Sequence, residues 1–242
     1  MDNTRALRLL SPNRLGGALL VGLLSMTPAS AAIIIHNFNV PLTSLPVTDT
    51  LSLPGFNPAL GTLTGIRIDL SVRLVSDYGF ENLSGAAATI SGSIVSNATL
   101  RLPDNSPLST VAATITRTET VGAFDGVVIF NPTVINYDGA SGRSYLDEEA
   151  TNSNSVTLTD GASLAFFSSN GTFLLPFEIS ATSAFGGAAI LAQSLNSGAG
   201  TATITYEYEP TRVLGEVPEP GTLLSMGLGG VLVGLLRVRR AA

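Results

Sequence analysis

Ile66-Arg67-Ile68-Asp69-Leu70-Ser71-Val72-Arg73-Leu74 alternates apolar and polar residues without a break, every even position apolar and every odd one polar. Period two is the repeat of a β-strand with one face on a core and the other in water. The pattern recurs. Ala202, Ile204, Tyr206 and Tyr208 alternate with Thr201, Thr203, Thr205, Glu207 and Glu209; Phe173, Leu175, Phe177 and Ile179 form a third face, and Val156 with Leu158 a shorter one. Turn dipeptides stand between these runs: Pro54-Gly55, Asp125-Gly126, Asp138-Gly139, Asp160-Gly161 and Asn170-Gly171. Short strands at such spacing, with no convincing amphipathic helix, predict an all-β antiparallel sandwich of jelly-roll or Ig-like type. One short helix is expected, over 188–195.

Composition agrees. The 242 residues include no Cys, no Trp, no Lys and one His, and only 12% are charged, about half the usual share. The wealth of Thr and Val suits strands. Between residues 33 and 215 there are 15 acidic side chains against 6 Arg, a net of −9, whereas the other arginines cluster at the two ends. So acidic a body does not fit nucleic acid, whose phosphates require grouped cations. Without Cys, thiolate metal sites and a cysteine nucleophile are excluded.

The two ends read as addresses. Arg5, Arg8 and Arg14 precede the apolar run Leu15–Leu24; Pro28 follows, and Ala29-Ser30-Ala31 places small residues where a signal peptidase needs them. Residues 1–31 are therefore expected to be a signal peptide with a helical apolar segment, cleaved after Ala31 or one residue later. The apolar run is too short for a retained bilayer span. At the other end, Val217-Pro218-Glu219-Pro220 is followed by the apolar segment Gly221–Leu236 and then by Arg237, Arg239 and Arg240. The prolines fix φ and withhold backbone donors, so this tetrapeptide stays extended ahead of a hydrophobic helix over 221–236. The terminal arginines hold their end in the cytoplasm by the positive-inside bias, which places the acidic body outside.

This three-part tail resembles the PEP-CTERM sorting signal of Gram-negative bacteria. The resemblance implies Sec export across the inner membrane, removal of the leader by signal peptidase and processing by the membrane enzyme exosortase. Pro218, Glu219 and Pro220 then match the recognition motif, and the three arginines match the basic stop. Between the addresses, residues 32–212 form one domain, and 213–242 the sorting tail. Within that domain Leu51–Leu63, Glu81-Asn82-Leu83-Ser84, Phe124-Asp125-Gly126, Ser155–Thr159 and Thr203–Tyr208 follow one another in an order similar to the choice-of-anchor E domain. That family is an exported all-β module joined to different surface anchors, and it brings no catalytic residues to carry over.

Chemistry is sparse. The single His36 lies beside Ile33-Ile34-Ile35 and reads as part of a first strand, not as a general base. Asp69, Glu178 and Glu207 fall on the polar faces of alternating strands, where solvation accounts for them better than a glycosidase pair does. The segment 137–155 carries Asp138, Asp147, Glu148, Glu149, Asn152 and Asn154, oxygen ligands of the kind Ca²⁺ takes, though not in EF-hand order. An aromatic platform near Tyr137, Tyr145 or Phe124 would suit a sugar. The expectation is a non-catalytic structural or adhesive protein of the cell envelope, cell surface or extracellular polysaccharide matrix. The alternatives are a sugar- or calcium-binding module and, further off, a polysaccharide hydrolase.

Intact mass of the exported protein checks the leader: the mature chain should begin at Ala32 or Ile33. A secreted product retaining residues 1–31 would contradict this reading.

Overall fold

In the computed structural model, residues 31–126, 129–130, 135–137 and 139–211 are described. The strands are β1 (Ala32–Ser44), β2 (Val47–Pro54), β3 (Gly61–Asn82), β4 (Ala88–Arg101), β5 (Pro107–Val121), the short β6 (Ile129–Phe130) and β7 (Ile135–Asn136), β8 (Gly142–Leu158), β9 (Thr172–Gly186) and β10 (Ile190–Pro210). A single-turn 3₁₀ helix (Pro58–Leu60) precedes β3, and the helix α1 (Gly161–Phe167) joins β8 to β9.

Eight of these strands form two four-stranded antiparallel sheets, in the orders β1-β10-β3-β8 and β2-β9-β4-β5. Apart from the β4–β5 hairpin, each connection between consecutive strands of these sheets crosses from one sheet to the other. That is the connectivity of a jelly roll, and of the two sandwich types expected from the sequence it selects this one. β6 and β7 pair with each other inside the long β5–β8 connection.

The alternation seen in the sequence is the core. Ile66, Ile68, Leu70, Val72 and Leu74 from β3, Ala202, Ile204 and Tyr206 from β10, and Leu175, Phe177 and Ile179 from β9 are all buried in one cluster. Tyr206 carries its polar end into this interior and satisfies it, donating from Oη to the Pro54 carbonyl at 2.9 Å. Val156 and Leu158 are only half-buried because β8 is an edge strand.

The registers give the sandwich two distinct poles. Gly61 pairs with Pro210, and Ala32 with Tyr208, so the first strand and the last one meet at one end, here the tail pole. Asn82 pairs with Ile190 and Glu81 with Gly142 at the opposite end, the far pole. At roughly 3.3 Å per residue, the 22 residues of β3 separate the poles by about 70 Å. The tail pole is closed by aromatic contacts of Phe167 with Phe173 (centroids 5.3 Å apart) and of Phe56 with Tyr208 (5.1 Å). The far pole has its own small cluster of Phe80, Ile90 and Val121.

Two expectations are corrected. The helix expected over 188–195 is absent: from Ile190 onward the chain is β10, paired residue by residue with Asn82–Asp77. The last third of β3 needs a hydrogen-bonding neighbour there, and that demand outweighs local propensity. Conversely, the turn signal Asp160-Gly161 opens a helix, because the Asp160 carboxylate caps it by accepting from the Ser163 N–H at 2.9 Å. Among the described residues no helix is long and apolar enough to cross a membrane. The helices expected in the signal peptide and over 221–236 lie outside the described residues.

Truncating Phe177, fully buried between the sheets, should cost about 3–5 kcal/mol in urea unfolding. Tyr206→Phe leaves the Pro54 carbonyl without its donor and should cost about 1–3 kcal/mol.

Candidate functional site

The residues singled out in the sequence scatter. Asp138 lies outside the described residues, as do Ala29, the sorting residues Val217, Pro218, Glu219 and Pro220, and Arg237, Arg239 and Arg240; Ala31 is exposed just ahead of β1. Asp147, Glu148 and Glu149 sit consecutively on β8, where a register shift and a positive φ of 52° at Asp147 interrupt the regular alternation of faces. Glu149 is held bidentately by Arg73, both contacts at 2.7 Å, and Glu148 by Arg117 at 2.6 Å. The Asp147 N–H donates to Asp77 at 2.8 Å. The three carboxylates therefore do not converge, and among the described residues no group of three or more His, Cys, Asp and Glu could hold a metal ion.

Asn152 and Asn154 do something the sequence did not announce. Their side-chain amides donate to the carbonyls of Ala112 (2.7 Å) and Thr110 (3.1 Å) on β5. β8 and β5 are edges of different sheets, so these amides, with the Arg117–Glu148 pair, stitch the two edges together and occupy groups that could template strand addition. His36 is on β1, edge-on to the Tyr206 ring with centroids 5.6 Å apart, and burial pulls its pKa down. Tyr145 stacks on Tyr78 at 4.9 Å, and burial, then a hydrogen bond to Glu119, pushes its phenol up to about 12. Tyr137 is 2% exposed, whereas Phe124 is 38% exposed. Two of the three candidate aromatics thus have their ring faces inside the fold.

The outer face of the β1-β10-β3-β8 sheet is a polar lattice. Ser71 and Thr201 share a hydrogen bond of 2.6 Å, and Thr203 donates to Asn37 at 2.9 Å. A shallow groove of about 570 Å³ runs over it, lined among others by Asn39, Ser71, Arg73, Asn152 and Thr201.

The unusual chemistry is at the far pole, where the alternation of β3 fails. Tyr78, Gly79, Phe80, Glu81 and Asn82 are all buried, with Tyr137 against Gly79 and Ser141 against Glu81 on the outer side. Tyr137 lies directly against Gly79, where a methyl group would collide with the ring. Asn82 acts as a hub: its amide donates to the carbonyls of Ala86 (2.8 Å) and Gly122 (2.7 Å), and its oxygen accepts from the Ser84 N–H and hydroxyl. With both ends of the amide engaged and no exposure, Asn82 is closed to glycosylation despite its Asn-Leu-Ser sequence.

Beside it sits Glu81, 0% exposed. Its Oε1 accepts a hydrogen bond from the Ser141 hydroxyl, and Ser141 in turn accepts from the Asp125 N–H at 3.2 Å. Glu81 Oε2 has no hydrogen-bond partner among the described residues. Burial raises the Glu81 pKa; the Ser141 hydroxyl opposes that shift, and the nearby charge of Asp125 adds to it.

A carboxyl raised by folding stabilises the native state fully below its ordinary pKa of about 4.5, and that contribution is lost as pH rises through the raised value. In metal-free buffer, Glu81→Gln should therefore gain stability relative to the parent as pH climbs from the acid range to neutrality. Urea midpoints of the two proteins that stay parallel over this range would contradict the assignment.

Comparison with known proteins adds one firm result. Residues 216–240 match the PEP-CTERM protein-sorting motif. No curated protein matches the chain. Among solved structures, the Macrobrachium rosenbergii nodavirus is 11% identical over 88% of this chain and 62% of that one, with a TM-score of 0.20. The infectious bursal disease virus Gx strain is 14% identical over 86% and 49%, with a TM-score of 0.16. The chain spans less than two thirds of either. The motif marks an exported protein, sorted to the cell envelope and processed by exosortase.

Proposed function

We propose that this chain is a surface building block: a jelly roll exported through the inner membrane, released from its leader by signal peptidase, and held by its tail until exosortase processes it. Its role is structural or adhesive, at the cell surface or in the extracellular polysaccharide of a Gram-negative bacterium. The single observation that carries this is the sorting motif at 216–240, which follows six residues after the last residue of β10, Pro210.

Because β10 ends at the tail pole, the tail leaves from that end of the sandwich. The opposite pole, with the connections 83–87, 122–141 and 187–189, then points away from the membrane by the length of β3. A long rigid sandwich with its edges stitched suits a spacer that presents one end. The similarity to choice-of-anchor E modules over residues 51–208 supports the same reading, since that family couples exported β-domains to alternative anchors. A carbohydrate-binding role is favoured by one feature, the groove lined among others by Asn39, Ser71 and Thr201, whose amide and hydroxyls suit sugar hydroxyls.

The test is the intact mass and location of the protein in its host with and without exosortase. The parent strain should yield a product lacking residues 221–242, and the strain without exosortase should keep those residues in the inner-membrane fraction. Retention of 221–242 in both strains would refute the proposal.

A further inference from the structure

The two four-stranded sheets have four edge strands, β1, β8, β2 and β5. An open edge offers unpaired N–H and C=O groups to another chain, and folded proteins guard it with charge, proline, a bulge or cover. Three of these edges are guarded. β8 and β5 are joined to each other by Asn152, Asn154 and the Arg117–Glu148 pair. β2 carries Asp49 within its eight residues and ends at Pro54. β1 is different: among the described residues nothing pairs with its outer side.

The stretch Ala32–Val40 contains no Asp, Glu, Lys, Arg or Pro, and it pairs with β10 without interruption from Tyr208 to Gly200. The register shift between Val40 and Thr43 ends the regular edge there. On the outer face Ile33 and Ile35 are 58% and 51% exposed. Uncharged, proline-free and rich in β-branched residues, Ile33–Phe38 has the composition of a segment that pairs with its like. Charge selects the occupant. The acidic body repels a second copy over most of its surface, but along this strand the copy meets no fixed charge. A cationic partner, by contrast, would find its countercharges elsewhere on the body.

We propose that Ala32–Val40 is a self-pairing edge: two copies of the chain join antiparallel through β1 about a two-fold axis, fusing their β1-β10-β3-β8 sheets into one sheet of eight strands. Such a contact is isologous, each copy giving and receiving the same groups. Alternate residues of an antiparallel edge turn both N–H and C=O outward, so full overlap makes about eight hydrogen bonds. That overlap centres the axis on His36 and keeps Ile33 and Ile35 of both copies on one face. Because β8 and β5 close the other side of each sandwich, assembly stops at two and does not run on into a fibre. β1 starts at the tail pole, so the tail poles overlap and the far poles lie at opposite ends of a rod, about 110 Å apart. The pairing rests on the fold and not on the sorting proposal, and its test uses purified exported protein whatever its route of processing.

About nine paired residues a side is well below the roughly 20–30 of a standard interface, so the contact is weak and concentration-dependent. In sedimentation equilibrium the protein should pass from monomer at about 1 µM to dimer towards about 1 mM. Amide exchange over residues 32–40 should slow across the same range. The double variant Ile33→Glu, Ile35→Glu changes two exposed side chains; it should melt within a few degrees of the parent and associate about tenfold or more weakly. Ser153→Glu, on the outer face of β8, should leave association unchanged. Should the double variant not fold, amide exchange on the parent decides alone. A protein monomeric throughout, a dimer that survives the double variant, growth beyond two copies, or a dimer that leaves exchange at 32–40 unaltered would each overturn the proposal. Slow exchange at 32–40 already in the monomer would overturn it too, and would mean that another segment of the same chain covers this edge.

Discussion

β3 is hydrogen-bonded along most of its length on both sides, to β10 from Gly61 to Asn82 and to β8 from Ile66 to Glu81. From Ile66 to Leu74 its even-numbered side chains face the second sheet and its odd-numbered ones face outward, whereas before the register shift opposite Glu207 and Tyr208 the phase is inverted and Leu63 lies in the core. A one-residue slip would turn Ile66, Ile68, Leu70, Val72 and Leu74 to solvent together, so the register is fixed by the whole apolar face at once. The rest of the molecule takes its coordinates from this strand. β10 and β8 inherit its register, β1 inherits that of β10, and the two poles are simply its two ends.

That dependence explains what was legible in the sequence. The faces at 66–74, 173–179 and 201–209 were plain because a strand with one wet side must alternate, and all three are core. The two-layer architecture followed from their number and spacing. The choice between jelly roll and Ig-like order did not, because it is set by which edges pair, and pairing leaves little trace in a single strand. Ala188–Leu195 misled for the same reason: small and apolar residues fit either period, and the free edge of β3 decided the outcome.

The candidate site was legible only as an anomaly. In Phe80-Glu81-Asn82 two polar residues follow the apolar one, which on a one-sided strand would leave at least one of them in water. Both are buried, since residues distant in sequence, among them Gly122, Tyr137 and Ser141, lie against this end of β3. Nothing local to Glu81 signals that cover. Asp147, Glu148 and Glu149 showed the opposite behaviour. They looked like a ligand cluster by spacing, but Arg73 and Arg117, from two other strands, pair separately with Glu149 and Glu148.

The chain's charge distribution connects these observations. An acidic body with no Lys and six arginines between residues 33 and 215 can compensate few of its carboxylates internally. Arg67, Arg73, Arg101 and Arg117 are used on Asp69, Glu149, Glu178 and Glu148, all at the surface, where exposed pairs contribute little to stability. Glu81, the buried carboxyl, receives no arginine among the described residues. Its burial is met by a raised pKa, which favours the neutral acid over the carboxylate. The arginines stand on edges and faces instead, where Arg117, paired with Glu148, helps join β5 to β8 and restrain strand addition.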